Sequence, residues 1–199
     1  MRWYVVGLLL VALGCSPSRQ QPAATDDLPL LGLAPEFSLT ERSGRQVDST
    51  ELDGRVWVAN FVFTECTGPC PLLSQRMSRI QTALEDEPEA RLVSFTVDPE
   101  NDTPEVLAGY AKRFNADPVR WLFLTGDKTG LYQLIKGGFK LAVDDGGQAP
   151  APDSGIITHS LRFVLVDRQG RIRGYFQGGE SDLEEKLIPA IRRLLAEKA

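Results

Sequence analysis

The sequence predicts an α/β fold, a mixed central sheet with helices on both sides, and three observations carry that prediction. Val56 to Phe63, VWVANFVF, is an almost unbroken run of β-formers, as expected of a strand covered on both faces. After it, segments with apolar residues at helical spacing alternate with further short β-rich runs, which implies parallel strands joined by right-handed crossovers. Near the end of the chain two β-rich runs flank RQG, the pattern of a hairpin.

The elements follow in order. From Leu31, where the domain starts, an N-terminal β-hairpin extension precedes the first buried strand. From Pro71, PLLSQRMSRIQTALED places Leu72, Leu73, Met77, Ile80 and Leu84 at helical spacings, and proline is acceptable in a first helical turn. Arg91 to Val97 is a second strand, Pro104 to Phe114 a second helix, and Val119 to Thr125 a third strand. Leu161 to Asp167 and Arg171 to Phe176 form the hairpin, and Ser181 to Ala199 closes the chain as an amphipathic helix. The Gly, Asp, Ala and Pro run from Asp144 to Gly155 reads as a long loop. In its order of elements the chain is thioredoxin-like.

At 199 residues and 42% hydrophobic, the chain can build one compact domain plus an appendage. Its formal charge of -5, with acidic and basic residues interspersed, argues against a nucleic-acid partner. The N-terminus, MRWYVVGLLLVALGC, has an early Arg2, an apolar run too short to span a bilayer, and then Gly14 and Cys15. It resembles a bacterial lipoprotein signal that ends at a lipidated cysteine, although Ala12 stands where the usual form has leucine. Several acyl chains on Cys15 would hold the protein on a membrane where one would not. A plain secretory signal cut nearby is the other reading, and both place the domain outside the cytoplasm. The expected division is residues 1–15 as signal, 16–30 as a polar, Pro-bearing tether, and 31–199 as the domain.

Two of the three cysteines, Cys66 and Cys70, lie on the turn from the first buried strand to the first helix. A helix N-terminus favours thiolate over thiol, the form that binds metals and attacks disulfides. Residues at this spacing have α-carbons about 6 Å apart, so both disulfide closure and joint ligation of one ion are within reach. A purely structural bridge is poorly motivated, because so small a loop constrains the unfolded chain little. Thr67 to Cys70 forms the T-x-x-C of a peroxidase site, but that pattern wants proline where this chain has Phe63. A dithiol oxidoreductase would more comfortably have two intervening residues than three.

Metal ligation needs another donor, and the chain has one histidine, His159, just before the late strand. A lone histidine is more often a surface or capping residue. In a thioredoxin-like order, however, the loop entering that strand runs beside the loop after the first strand, which brings His159 toward Cys66 and Cys70. Two thiolates and an imidazole suit Cu(I), whereas zinc would want a fourth ligand. Copper therefore outranks zinc, and a metal-free redox pair, with Cys66 and Cys70 as the catalytic thiols, stays open.

In these residues the chain resembles the SCO/SenC family of copper-binding proteins that serve cytochrome c oxidase assembly. The match runs from about Ala34 to the C-terminus through APEFSLT, C-x-x-x-C-P at Cys66 to Pro71, FTVDPENDTPEVLAGYAKRF from Phe95, WLFLTGD from Trp121 and HSLRFVLVDRQGRI from His159. The resemblance implies one copper, Cu(I) or Cu(II), held by Cys66, Cys70 and His159 and delivered to the binuclear copper centre of the oxidase. It also implies that the copper-free cysteines exchange disulfides with those of the oxidase. Family members commonly carry Asp before the histidine, where this chain has Thr158. A carboxylate there orients an imidazole and raises its basicity, and Asp98, which the family places near the site, could take over that role.

The expected function is that of a copper metallochaperone, lipid-anchored on the extracytoplasmic face of the bacterial cell envelope. Its expected partners are the copper-bearing oxidase subunit and other periplasmic copper chaperones or thiol reductants. A thiol-disulfide reductase that keeps oxidase cysteines reduced is the enzymatic alternative, and a copper or redox sensor the third.

Overall fold

The computed structural model describes residues 28–143 and 160–197. Among them the chain runs through β1 (Gly32–Leu33), β2 (Ser38–Glu41), β3 (Gln46–Asp48), β4 (Val56–Val62), α1 (Cys70–Ala83), β5 (Ala90–Thr96) and α2 (Pro104–Arg113). It continues through β6 (Trp121–Thr125), α3 (Lys128–Gln133), β7 (Arg162–Val166), β8 (Arg171–Gln177) and α4 (Leu183–Ala196). The strands form one sheet in the order β1-β8-β7-β4-β5-β6-β2-β3. No helix among the described residues is long and apolar enough to cross a membrane.

β4 is buried along its whole length. Val56, Val58 and Val62 face one apolar core, and Trp57, Ala59 and Phe61 face another. This double burial is why the sequence there is a continuous apolar run rather than an alternation. β5 pairs parallel to β4, and β6 parallel to β5, with α1 and α2 as the crossovers. Pro71 occupies the first turn of α1. Thr103 caps α2 by accepting from the Val106 N–H at 3.4 Å, with Pro104 opening the helix. Residues of α1, α2 and α4 pack into the first core, while Leu131 and Tyr132 of α3 pack into the second, so helices cover both faces.

On the other side of β4, β7 pairs antiparallel to it and β8 antiparallel to β7, as the sequence predicts. The turn between them is built by Asp167. One of its oxygens accepts from the Gln169 and Arg171 amides at 3.0 Å each, and the other from Arg171 Nε at 2.7 Å and Arg173 Nη1 at 2.9 Å. Gly170, at φ 71, supplies the left-handed residue that closes this turn. Buried Arg173 also donates to the carbonyls of Leu28 at 2.9 Å and Pro29 at 3.2 Å, pinning the chain just before β1 to the outer edge of the sheet.

The β2–β3 hairpin extends the opposite edge, through antiparallel pairing of β2 with β6. Several elements have no counterpart in the sequence reading. β1 is a two-residue edge strand, too short to leave a periodicity. α3 and the π-helical turn that continues it, Leu134–Gly138, lie where the sequence reading places no element. Gly138 is needed there because a Cβ would run into the Pro35 ring.

Candidate metal centre

The last sheet bond at the end of β4 is donated by the Val97 N–H to the Val62 carbonyl at 2.9 Å. Beyond it the chain turns through Phe63 and Thr64, and the Cys66 N–H donates back to the Phe63 carbonyl at 3.4 Å. Thr67, Gly68 and Pro69 are exposed, and Cys70 opens α1. Cys70 is fully buried in the core that holds Leu73 and Met77, while Cys66 is partly exposed and packs against the same core. No disulfide joins them.

The Cys70 N–H donates to Cys66 Sγ at 3.4 Å. The helix start is therefore aimed at the first cysteine, although the second sits on the helix. Burial pushes the Cys70 thiol well up from its ordinary range, and its hydrogen bond with Cys66 pushes the same way. Burial at Cys70 thus works against the thiolate that a helix N-terminus favours. Nearby, the Tyr110 hydroxyl shares a 2.9 Å hydrogen bond with Ser74 Oγ. Burial is the main reason its pKa is pushed up to about 12, and negative charge on Cys70 or Cys66 adds to the effect.

Beneath the Cys66 turn lies Asp102, fully buried. Its Oδ1 accepts from the Thr64 N–H at 3.2 Å and from Thr64 Oγ1 at 2.5 Å, and its Oδ2 accepts from Thr96 Oγ1 at 2.5 Å. Thr96 Oγ1 in turn accepts from the Asp98 N–H at 2.9 Å. Burial raises the Asp102 carboxyl above its ordinary value, against the pull of the threonine hydrogen bonds. Sequence reasoning missed this residue, because an Asp just ahead of Thr-Pro reads as part of a helix-start turn. The only available signal was its place four residues after Asp98 on the loop leaving a parallel strand.

Asp98, the carboxylate the sequence singled out, accepts from Asn101 Nδ2 at 2.8 Å. His159 and Cys15 lie outside the described residues. The first described residues after His159 are Ser160, whose N–H donates to the Ala142 carbonyl at 3.1 Å, and Leu161. Leu161 packs on the core that contains Cys70, and its carbonyl accepts from the Gly178 N–H at 2.9 Å. A side chain at Gly178 would collide with Leu73 in the first turn of α1, so the entry to β7 lies against the start of that helix. Among the described residues no group of three or more His, Cys, Asp or Glu side chains could hold a metal ion. Cys66 and Cys70 offer two sulfur donors, a set that fits Cu(I) with one further ligand, whereas zinc would need two.

A buried and a partly exposed thiol at the start of the first crossover helix of a mixed sheet define a dithiol protein of thioredoxin-like fold. The SCO1/SenC family profile matches residues 28–196, and the chain belongs to that family. It is similar to a SCO1/SenC family lipoprotein from Bacillus anthracis, with 30% identity, a TM-score of 0.75, and coverage of 83% of this chain and 96% of the other. It is also similar to BsSco, described with a disulfide switch as a member of the Sco family of cytochrome c oxidase assembly proteins. There the identity is 28% and the TM-score 0.72, over 86% of this chain and 98% of that one. The fold is shared with Bradyrhizobium japonicum ScoI, solved with copper bound, at 24% identity and a TM-score of 0.66 over 81% and 99% of the two chains.

Proposed function

We propose that the protein is an extracytoplasmic copper metallochaperone, tethered to the membrane through Cys15. It binds one copper through Cys66, Cys70 and His159 and delivers it to the binuclear copper centre of cytochrome c oxidase. The observation that carries this reading is the unbridged thiol pair on the turn into α1, with the Cys70 amide on Cys66 Sγ. The path of the chain after His159 supports the third ligand, since Leu161 is held by Gly178 against Leu73 in the first turn of α1. Family membership supports copper as the cargo and the oxidase as the recipient, and the B. anthracis lipoprotein supports the tether.

The test is a Cu(I) titration of the reduced chain and of Cys66→Ser, Cys70→Ser and His159→Ala. One equivalent bound by the parent and lost in each variant is the expected result. Unchanged affinity in His159→Ala would remove the third ligand and with it this reading.

The unequal burial of the two thiols favours a second reading, in which the copper-free pair reduces a disulfide of its partner. The accessible Cys66 would attack and the buried Cys70 would resolve the mixed disulfide. That activity would survive His159→Ala.

A further inference from the structure

We propose that Asp102 is the positioning residue of the dithiol: it holds the Thr64 turn so that Cys66 stays within reach of the fixed sulfur of Cys70. This rests on the reading above, in which the pair serves copper and disulfide exchange. The two cysteines are anchored very differently. Cys70 is fully buried and belongs to a fourteen-residue helix, so its sulfur has nowhere to go. Cys66 is only half-buried, between exposed Glu65 and Thr67, and a Cβ on nearby Gly68 would touch nothing within 4 Å except Cys66 Sγ. The Cys66 N–H donates to the Phe63 carbonyl at 3.4 Å, and the residue after Phe63, Thr64, is held by Asp102 through both its amide and its hydroxyl.

The anchor is itself braced. Asp102 accepts from Thr96 Oγ1 on β5, and its own N–H donates to the Asp98 carbonyl at 2.9 Å. One carboxylate thereby ties the turn after β4 to the turn after β5, two loops otherwise joined at the sheet end by the Val97-to-Val62 bond. It also holds, through Thr96, the backbone of Asp98. A turn fixed in this way keeps two donors close before a ligand arrives, so less freedom is lost when metal is bound or a disulfide closes. The apolar alternative at this position would leave the Thr64 amide and hydroxyl without their acceptor.

The exchange that reports on this is balanced. Cys66 attacks one sulfur of glutathione disulfide and releases one glutathione. Cys70 then attacks Cys66 of the mixed disulfide and releases the second. Two electrons pass to glutathione, and the two thiol protons leave on the two released glutathiones.

The full chain and its Asp102→Asn, Asp102→Ala and Thr64→Val variants are equilibrated with reduced and oxidised glutathione, well below their unfolding midpoints. The bridged fraction of Cys66 and Cys70 is read by alkylation and peptide mass. Asp102→Ala is expected to lower the closure constant, and in parallel the Cu(I) affinity, by roughly tenfold to a hundredfold. Asp102→Asn, which keeps an acceptor for Thr64, should fall between Ala and the parent. Thr64→Val should add little on top of Asp102→Ala, because both break one link. A parent-like closure constant in folded Asp102→Ala overturns the proposal, as does full additivity of the two losses. Should Asp102→Ala not fold, unchanged constants in both Asp102→Asn and Thr64→Val overturn it. A parent chain that binds no copper would sink the metallochaperone reading, while the glutathione comparison would still decide the role of Asp102.

Discussion

The Cys70 amide donates to Cys66 Sγ at 3.4 Å while the Cys70 sulfur itself is fully buried, so two cysteines that look interchangeable in the sequence occupy opposite chemical settings. Alkylation of the reduced chain should therefore modify Cys66 well before Cys70, since thiol reactivity follows access and thiolate character. Time-resolved labelling with peptide mapping checks this. Equal rates at the two positions would show that the helix start is open enough in solution to expose both.

Cargo binding should register as stability. A ligand that binds the native but not the unfolded chain stabilises by about 2.7 kcal/mol at a free concentration of 100 times its Kd. Buffered Cu(I) should raise the melting temperature of the reduced chain, and a competing chelator should return it to the starting value. Cys66→Ser should melt at one temperature with and without copper. A copper-dependent rise that persists in that variant would point to binding elsewhere on the chain.

The raised carboxyl of Asp102 makes a signed prediction about pH. A folded-state pKa above the unfolded one means that the native chain holds the proton more tightly. The stability contributed by that proton is fully present below the ordinary Asp value of about 3.9 and is lost as pH rises through the raised value. Asp102→Asn has no such proton. Plotted against pH, parent stability minus variant stability should fall across this interval and level off above it. Two melting curves that stay parallel from acid to neutral pH would contradict the assignment.

Asp167 makes the opposite prediction. Burial works to raise its carboxyl, but hydrogen bonds from Arg171 and Arg173 outweigh that and hold it below its ordinary value. Its contribution is present above the unfolded pKa and is lost as pH falls through the depressed one. Asp167→Ala strips the buried Arg173 guanidinium of its 2.9 Å partner, and removing one side of a buried pair typically costs about 3–5 kcal/mol. Urea unfolding at neutral pH should show a loss of that order. A loss no larger than an exposed pair gives, below about 1 kcal/mol, would mean that Glu197 and the Leu28 and Pro29 carbonyls suffice for Arg173.

Where the sequence was legible, one physical cause dominated. The central strands announce themselves because both of their faces are buried, and the helix that starts at Cys70 because Leu73, Met77 and Ile80 turn inward from it. β1 was invisible because its pairing with β8 is set by the partner strand and by Arg173, not by its own two residues. The π-helical turn was invisible because the contact that demands glycine at its end, with Pro35, comes from far away in sequence. At the site, Cys66 and Cys70 could be placed from local pattern alone. Asp102 could not, because what matters about it is a contact with Thr64 thirty-eight residues away in the chain. Nor could the sequence say which thiol would be buried, since that depends on how deeply the first turn of α1 sinks into the core.

The clamp of Arg173 on Leu28 and Pro29 has a mechanical consequence. β1 pairs with Ile172 and Arg171 at the start of β8, the end of the sheet where β4 begins, whereas the cysteines follow the other end of β4. Seven residues of strand at about 3.3 Å each put roughly 20 Å between the two ends. Tension on the chain ahead of Leu28 would be taken up by β1, β8 and the Asp167 turn and would not reach the dithiol. The domain is gripped at one end of its sheet and carries its thiols at the other.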